Sequence, residues 1–508
     1  MLELSSLRER LAHTPPGYRL SIGRILAIYA GLMVTLMLAA LDQTIVATAL
    51  PTVVSDLGGI SQYSWVFTAY MLASTVTVPL YGKLGDLHGR RPLFLAAITI
   101  FLIGSALCGV AQGMTQLVIF RAIQGVGAGG LFPLALATIG VIVPPRDRGR
   151  YQGLIGATFA AASIIGPAVG GFIVDNASWR WIFYINLPIG GLALLVISLT
   201  MPRPRDRREH SIDYKGAALL ATGTTALLLG LVWGGQAYPW ASAHVVLTLV
   251  VAAVMLAAFA VVERRVREPI LPFNVLRNPI VASSVICMAL VGMVMFGTIS
   301  YVPLFVQGVI GTSATSSGVV LTPLMLGAVT TSFITGQWVS RTGRYRQNAI
   351  AGPVVLTIGM LLLWRMDVHT TTTDAAIAMV VAGIGIGSMM QVFVLSVQNS
   401  VRRVDMGSAT ALTQFARSIG STIGVTVMGV IVNQGLPPGF HGAGQAVHRL
   451  SPAARVALAD ALHPAFLVAA FVSFVVWIVA VVGVKEVPLK SGFEDAVEPA
   501  VVESSGAS

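Results

Sequence analysis

Long apolar runs recur from one end of this chain to the other, each close to the ~20 residues that cross a bilayer as a helix. Short loops separate them and carry most of the charge. This alternation points to an all-α integral membrane protein. Composition agrees. Of 508 residues, 55% are hydrophobic and 10% charged, whereas soluble domains carry about 25% charged residues. The mean hydropathy is +0.81. Glycine, at 53 residues, is abundant, as expected where membrane helices approach closely.

Fourteen spans are expected, near residues 26–50, 62–82, 93–112, 115–140, 150–174, 181–200, 213–234, 243–262, 279–308, 315–340, 347–366, 374–400, 407–434 and 463–484. The first 24 residues are polar, and the apolar run after them is too long for a signal-peptide core, so it reads as a retained first helix. The longest connection, 435–462, ends in "SPAARVALADAL", where Ser451 and Pro452 can start a short surface helix.

Lys and Arg set the orientation. With a cytoplasmic N-terminus, the internal loops receive residues such as Lys83, Arg90, Arg91, Arg146, Arg148, Arg203, Arg205, Arg264, Arg341, Arg344 and Arg402. The external side keeps only Arg180, Arg365, Arg449 and Arg455. Both termini are therefore expected in the cytoplasm, with the chain multi-pass in the inner (cytoplasmic) membrane. The same asymmetry explains the net charge of +11 without a nucleic-acid partner. Cys108 and Cys287 both lie in apolar runs and imply no disulfide framework.

The chain also repeats itself. "GKLGDLHGRR" (82–91) follows span 2, and "GQWVSRTGRY" (336–345) follows span 10. In each copy two glycines stand seven apart, Gly82 and Gly89 or Gly336 and Gly343, followed by Arg90 or Arg344. Chance can produce two such copies, but their equivalent placement favours a duplicated six-span unit. The expected divisions are an N-terminal segment 1–25, a six-helix bundle 26–200, inserted helices 7 and 8 with linkers in 201–278, a second bundle 279–484 with its external loop 435–462, and a tail 485–508. Transporters are commonly built from such repeats, with the substrate site near mid-membrane.

Several of these stretches resemble a known family. "GKLGDLHGRR" is similar to the signature loop of the major facilitator superfamily, with Gly82, Leu84, Asp86, Gly89, Arg90 and Arg91 intact. Gly85 and Leu87 depart from the usual pattern. "ALDQTIVATALP" (40–51), "RAIQGVGAGG" (121–130), "GATFAAASIIGPAVGG" (156–171) and "WRWIFYINLPIG" (179–190) resemble motifs of its fourteen-span drug:proton antiporters, the QacA/EmrB group. "GSATALTQFARSIGSTIG" (407–424) is a weaker match. The resemblance implies a major facilitator fold of two six-helix bundles with two added helices. It also implies proton-coupled export of amphipathic, cationic compounds.

Asp42 is the one formal charge between Ile25 and Leu50. At 1.5 Å per residue, Asp42 lies ~12 Å and Arg121 ~9 Å below the external ends of their spans. Similar depth lets them face one cavity and partly neutralise each other. A purely structural ion pair is one reading; a proton-coupling carboxylate is the other. No other acid lies as deep as Asp42, which points to a low proton stoichiometry unless Asp56 or Asp367 opens into the cavity. For Arg121 the resemblance implies a part in proton coupling.

Gly82, Asp86, Gly89, Arg90, Arg91 and Asp147 form an expected gating loop. Its glycines permit a tight turn, Asp86 can cap another helix's N-terminus, and Arg90 can pair with Asp147. The resemblance implies that Asp86 packs against the second half and stabilises one conformation. Gly156, Gly166, Pro167, Gly170 and Gly171 form the expected antiporter motif. Their small size suits close packing, and the resemblance ties them to export direction. Candidate cavity residues are Gln43, Gln124, Tyr70, Tyr301, Phe305, Gln307 and Gln391, among other in-span polar groups including Asn186 and Gln414. Arg417 is either structural or a second-half counterpart of Arg121.

Other classes are disfavoured. No His/Glu or Cys metal cluster occurs in the spans, so neither catalytic residues, a metal nor a cofactor is expected. No Walker loop is present, which argues against an ATP-driven pump. The expected partners are a small-molecule substrate, protons and membrane lipid, with the chain a monomer. The alternative is a specific exporter of a metabolite, peptide or lipid-like molecule, which would carry the same motifs.

Overall fold

The computed structural model describes residues 22–57, 63–143, most positions of 151–202, 213–235, 238–266, 269–271, 273–311, 314–436 and 451–488. Helix dominates them: α1 (Ile22–Leu57), α2 (Tyr63–His88), α3 (Arg90–Gly109), α4 (Met114–Ile142), α5 (Trp181–Thr200, broken for one residue at Ile185), α6 (Tyr214–Trp233), α7 (Ala243–Glu263), α8 (Pro279–Phe305), α9 (Ala314–Thr342), α10 (Arg346–Trp364), α11 (Thr372–Ser400), α12 (Met406–Gly435) and α13 (Pro452–Gly483). The described positions of 151–174 are helical as well. Among the described residues, 11 helices are long and apolar enough to cross a membrane. Helices α2 and α9, of 26 and 29 residues, have the length but more polar sequence.

Two sets of helices pack in the same way. Helix α4 lies against α2 and α3, while α5 lies against α1 and α3. In the second set α11 lies against α9 and α10, while α13 lies against α8 and α10. Glycines make the central contacts. On α4, Gly125 and Gly129 meet the backbone of α2 at Tyr70 and Ser74, and Gly127 meets α3 at Ala97 and Phe101. On α11, Gly383 and Gly387 meet α9 at Leu324 and Ala328, and Gly385 meets α10 at Leu356. The same Gly-x-Gly-x-Gly spacing thus serves the same two neighbours in each set. At the loops, Gly89 has φ 85° and Gly343 has φ 73°, a region that side chains resist. Between the sets, α6 and α7 pair with each other, and α6 rests on α2 and α12 across the seam.

Because backbone atoms surround Gly127, a side chain there has nowhere to go. Gly127→Val is expected to destabilise the protein by about 1–3 kcal/mol. Gly171 has open space where a Cβ would lie, so Gly171→Ala should stay within about 0.5 kcal/mol of the parent. Thermal unfolding in detergent, followed by monodispersity, compares the two.

Two sequence expectations need correction. Ser451 does cap a helix, accepting from Ala454 N at 3.3 Å, but this is no separate surface helix. It continues through Pro464 to Gly483 as the 32-residue α13, so 452–462 belongs to the last membrane helix rather than to the loop. A proline inside a helix removes one hydrogen bond and can kink it without ending it. Here the flanking Leu458, Leu462 and Phe466 are buried, and His463 Nε2 lies 2.6 Å from Met366 O, so packing holds both sides. The first helix is also longer than expected, reaching Leu57.

The ends of the bundle differ. Every residue of 133–140 on α4, 392–399 on α11 and 406–415 on α12 is buried. Beyond them, Phe132, Gln391 and Arg417 are part-exposed. Each change comes about ten residues, or about 15 Å, from the end that carries Gly89 and Gly343. The molecule is sealed at that end and more open above it.

Candidate functional site

Four helices converge on one buried polar cluster. Helix α1 brings Asp42, and α4 brings Arg121 and Gln124, three residues apart and so on one face. Helix α3 contributes Ser105 and Cys108, and α5 contributes Asn186 just after its break. Asp42, Arg121, Gln124, Asn186 and Ser105 are all 0% exposed. Gly104 lets α3 approach the Gln124 backbone, which draws α3 and α4 together beside the cluster.

Arg121 Nη1 donates to Asp42 Oδ2 at 2.7 Å and to Gln124 Oε1 at 2.7 Å. Gln124 Nε2 donates to Asp42 Oδ1 at 2.7 Å, and Asn186 Nδ2 donates to the same oxygen at 2.9 Å. The Asn186 amide also donates to Ser105 Oγ at 3.0 Å, and Ser105 donates to Phe183 O. Arg121 Nε donates to Val66 O at 3.3 Å, and its guanidinium stacks 4.2 Å from the Tyr70 ring centre. A buried carboxylate is costly unless paired and hydrogen-bonded; three donors from two other helices meet Asp42 here. Among the described residues, Arg121 Nη2 and Asn186 Oδ1 have no hydrogen-bond partner, leaving donor and acceptor capacity in the cluster.

The depth count from sequence brings Asp42 and Arg121 to one level, and in the structure they form an ion pair. They do not face an open cavity; they are sealed. Gln124 and Tyr70, expected at a cavity wall, are buried in this cluster, and the Tyr70 ring face is occupied by Arg121. Gln43 is exposed beside them and hydrogen-bonds Tyr70. Phe305 is 0% exposed, packed in the second set's core, so it offers no ring to a ligand. Tyr301 is half-buried and reaches Val425 O at 3.4 Å. Gln391 is half-buried on α11. The Gln307 side chain lies outside the described residues. Ser105 escaped the sequence reading, since a serine in a membrane helix gives no signal of its own.

Superposing the glycine triplets of α4 and α11 sets Met379 opposite Arg121 and Ala382 opposite Gln124. The second set thus carries no copy of this charge.

At the sealed end, Asp86 reaches from α2 to the N-terminus of α12. Gly407 N and Ser408 N donate to its two carboxylate oxygens at 2.9 and 2.7 Å, and Ser408 Oγ adds a third bond at 3.0 Å. A helix N-terminus leaves backbone N–H groups free and favours a negative charge. Gly82 sits directly over Ala411, so only the absence of a Cβ lets α2 come this close. Arg90 pairs with Asp86 at 3.3 Å. Its expected partner Asp147 lies outside the described residues. Arg91 Nη2 donates to Ser198 O at 2.6 Å, joining α3 to the end of α5. Nearby, Gln398 Nε2 donates to Leu136 O at 3.2 Å, tying α11 to α4.

Of the expected antiporter motif, Gly156 and Pro167 lie outside the described residues. Gly166 abuts Thr44 of α1, while Gly170 is buried and Gly171 has open space beside it. At the opposite end, Asp56 accepts from Trp179 Nε1 at 2.8 Å and pairs with Arg180 at 3.4 Å. The indole N–H, with help from Arg180, holds the exposed Asp56 carboxyl below the usual carboxylate range.

The chain was compared with known proteins. The family model described as Major Facilitator Superfamily matches residues 32–425. Multidrug transporter protein MdtP of Bacillus subtilis is 39% identical over 406 residues, covering 80% of this chain and 75% of that protein. Multidrug resistance protein 3 of the same organism is 39% identical over 404 residues, covering 80% and 79%. The solved structure of the proton:xylose symporter XylE shares the fold, with a TM-score of 0.65 and 14% identity over 92% of this chain and 97% of that one. The chain belongs to the major facilitator superfamily, and it is a multi-pass membrane transporter rather than an enzyme.

Proposed function

We propose that the protein is a proton-coupled multidrug antiporter that exports amphipathic compounds by alternating access. The observation that carries this reading is Asp42, buried and held by Arg121, Gln124 and Asn186 from two other helices. Protonating that carboxylate removes its pull on all three donors at once, so one proton can loosen α1, α4 and α5 together. A cation nearing the site favours the ionised acid and releases the proton. Competition between proton and substrate for one carboxylate, direct or through conformation, then gives exchange.

The fourteen-span topology of the QacA/EmrB group is part of the proposal. Thirteen labelled helices plus the helical positions of 151–174 support it. So are the bundles 26–200 and 279–484, with 201–278 inserted between them. The matching helix contacts and glycine triplets support that division. With both termini cytoplasmic, the sealed end faces the cytoplasm and the molecule is poised toward the outside. Asp86, Gly82 and Arg90 are the latch of that state. Having Arg121 in one bundle only supports a low proton stoichiometry.

Proteoliposomes with an imposed pH gradient test the reading against a panel of lipophilic dyes. Gradient-dependent movement of several unrelated dyes, lost when the gradient is collapsed, is the expected result. Movement of none would contradict export of drugs and leave the specific exporter of a metabolite, peptide or lipid-like molecule.

A further inference from the structure

Arg417 lies near the middle of α12, in the tier just above the sealed end. Its guanidinium carbon is 5.7 Å from the ring centre of Phe132, on α4 of the other bundle, so it stands at the seam where substrate would pass. Unlike Arg121, it has no carboxylate in ion-pair distance among the described residues. Its Nε donates to Gln414 Oε1 at 3.1 Å, and its Nη groups have no hydrogen-bond partner among those residues. Gln414 is 2% exposed, and its own Nε2 has no hydrogen-bond partner among the described residues. The Gln414 carbonyl is therefore spent on Arg417, and what remains is a set of donors with no acceptor.

A cation at this depth is costly unless an anion or a water-filled space meets it. A buried amide donor left unpaired adds to that cost. Both deficits have one remedy, an acceptor group arriving with a ligand. A carboxylate suits best, because the planar guanidinium presents parallel N–H groups that match its two oxygens. Phe132 is part-exposed beside them and offers an apolar face to the rest of an amphipathic molecule.

We propose that Arg417 and Gln414 form a subsite for the carboxylate of amphipathic acids and zwitterions, at the floor of the transport cavity. This rests on the transport reading above and extends the substrate range beyond lipophilic cations. In a zwitterion the cationic end is left to point toward the Asp42 side.

The test compares N-dansylphenylalanine with its methyl ester, bound to the full chain in phosphatidylcholine nanodiscs against empty nanodiscs. Arg417→Gln should weaken binding of the acid by about tenfold, the scale of one charge-assisted contact. Binding of the ester should change less than about twofold, which also reports a folded variant, and Arg417→Lys should restore part of the affinity for the acid. Benzoate should displace the acid, and inorganic phosphate should not. Equal binding of the acid by wild type and Arg417→Gln, or displacement by phosphate alone, would overturn the subsite. If Arg417→Gln loses ester as well, Gln414→Leu decides: a selective loss of the acid supports the proposal and an unselective one overturns it. Gradient-driven dye export by wild type is read separately. If it persists while the acid fails to bind, only the subsite falls; if it is absent for every dye, the transport reading falls.

Discussion

Asp42→Asn is expected to abolish uphill export while leaving downhill exchange measurable. Asparagine keeps the shape of the side chain and can still accept from Arg121 through its one oxygen, while its amide replaces the acceptor that met Gln124 and Asn186. What it loses is the charge that a proton neutralises. Removing one partner of a buried pair also strands the other, at about 3–5 kcal/mol, so some loss of thermal stability should accompany the change. Two assays separate the effects. Dye exchange at equal concentrations, without a gradient, should persist in the variant. Accumulation against a concentration gradient should fall at least about tenfold, equivalent to about 1.4 kcal/mol of lost driving force. Undiminished accumulation would remove Asp42 from coupling and leave a structural ion pair.

Asp86→Ala is expected to open the sealed end. The carboxylate makes three hydrogen bonds to the start of α12, two of them to backbone N–H groups that have no other helix partner. Losing a cap of this kind costs about 0.5–2 kcal/mol. Here the loss falls on one conformation only, because the bond spans the two bundles. It therefore shifts a population rather than unfolding the chain. A change of about 2 kcal/mol moves a two-state ratio by roughly 30-fold. Spin labels at His88 and Arg402, both exposed near this end, would report the opening. The native Cys108 and Cys287 are buried and need not be removed. The distance distribution should move to longer values in Asp86→Ala, and export should slow. Unchanged distances with unchanged transport would mean that the contact is no latch.

Some of this was legible in the sequence because a helix converts position into depth. Counting 1.5 Å per residue places Asp42 and Arg121 at one level. It cannot say which faces meet, so the seal around them was not foreseen, nor was Ser105 beside Asn186. The 11 long apolar helices among the described residues were readable from hydropathy, and their ends were not. The stretch from Ser451, expected as a separate short surface helix, proved to be the start of α13. The loop glycines suggested a repeat, and within the helices glycines 125, 127 and 129 meet neighbours matching those of 383, 385 and 387. Their meaning depends on which neighbour each one touches, and sequence does not record that. Arg417 stood between two readings for the same reason. What separates it from Arg121 in three dimensions is that no carboxylate among the described residues lies in ion-pair distance of it.

The central claim is that proton and substrate compete for Asp42, and proton release measures it directly. Purified protein in weak buffer is mixed with ethidium while the pH is followed. Wild type should release protons in proportion to the ethidium bound, and Asp42→Asn should release none at any level of ethidium bound. Equal release by both proteins, or none by wild type despite binding, would contradict the claim.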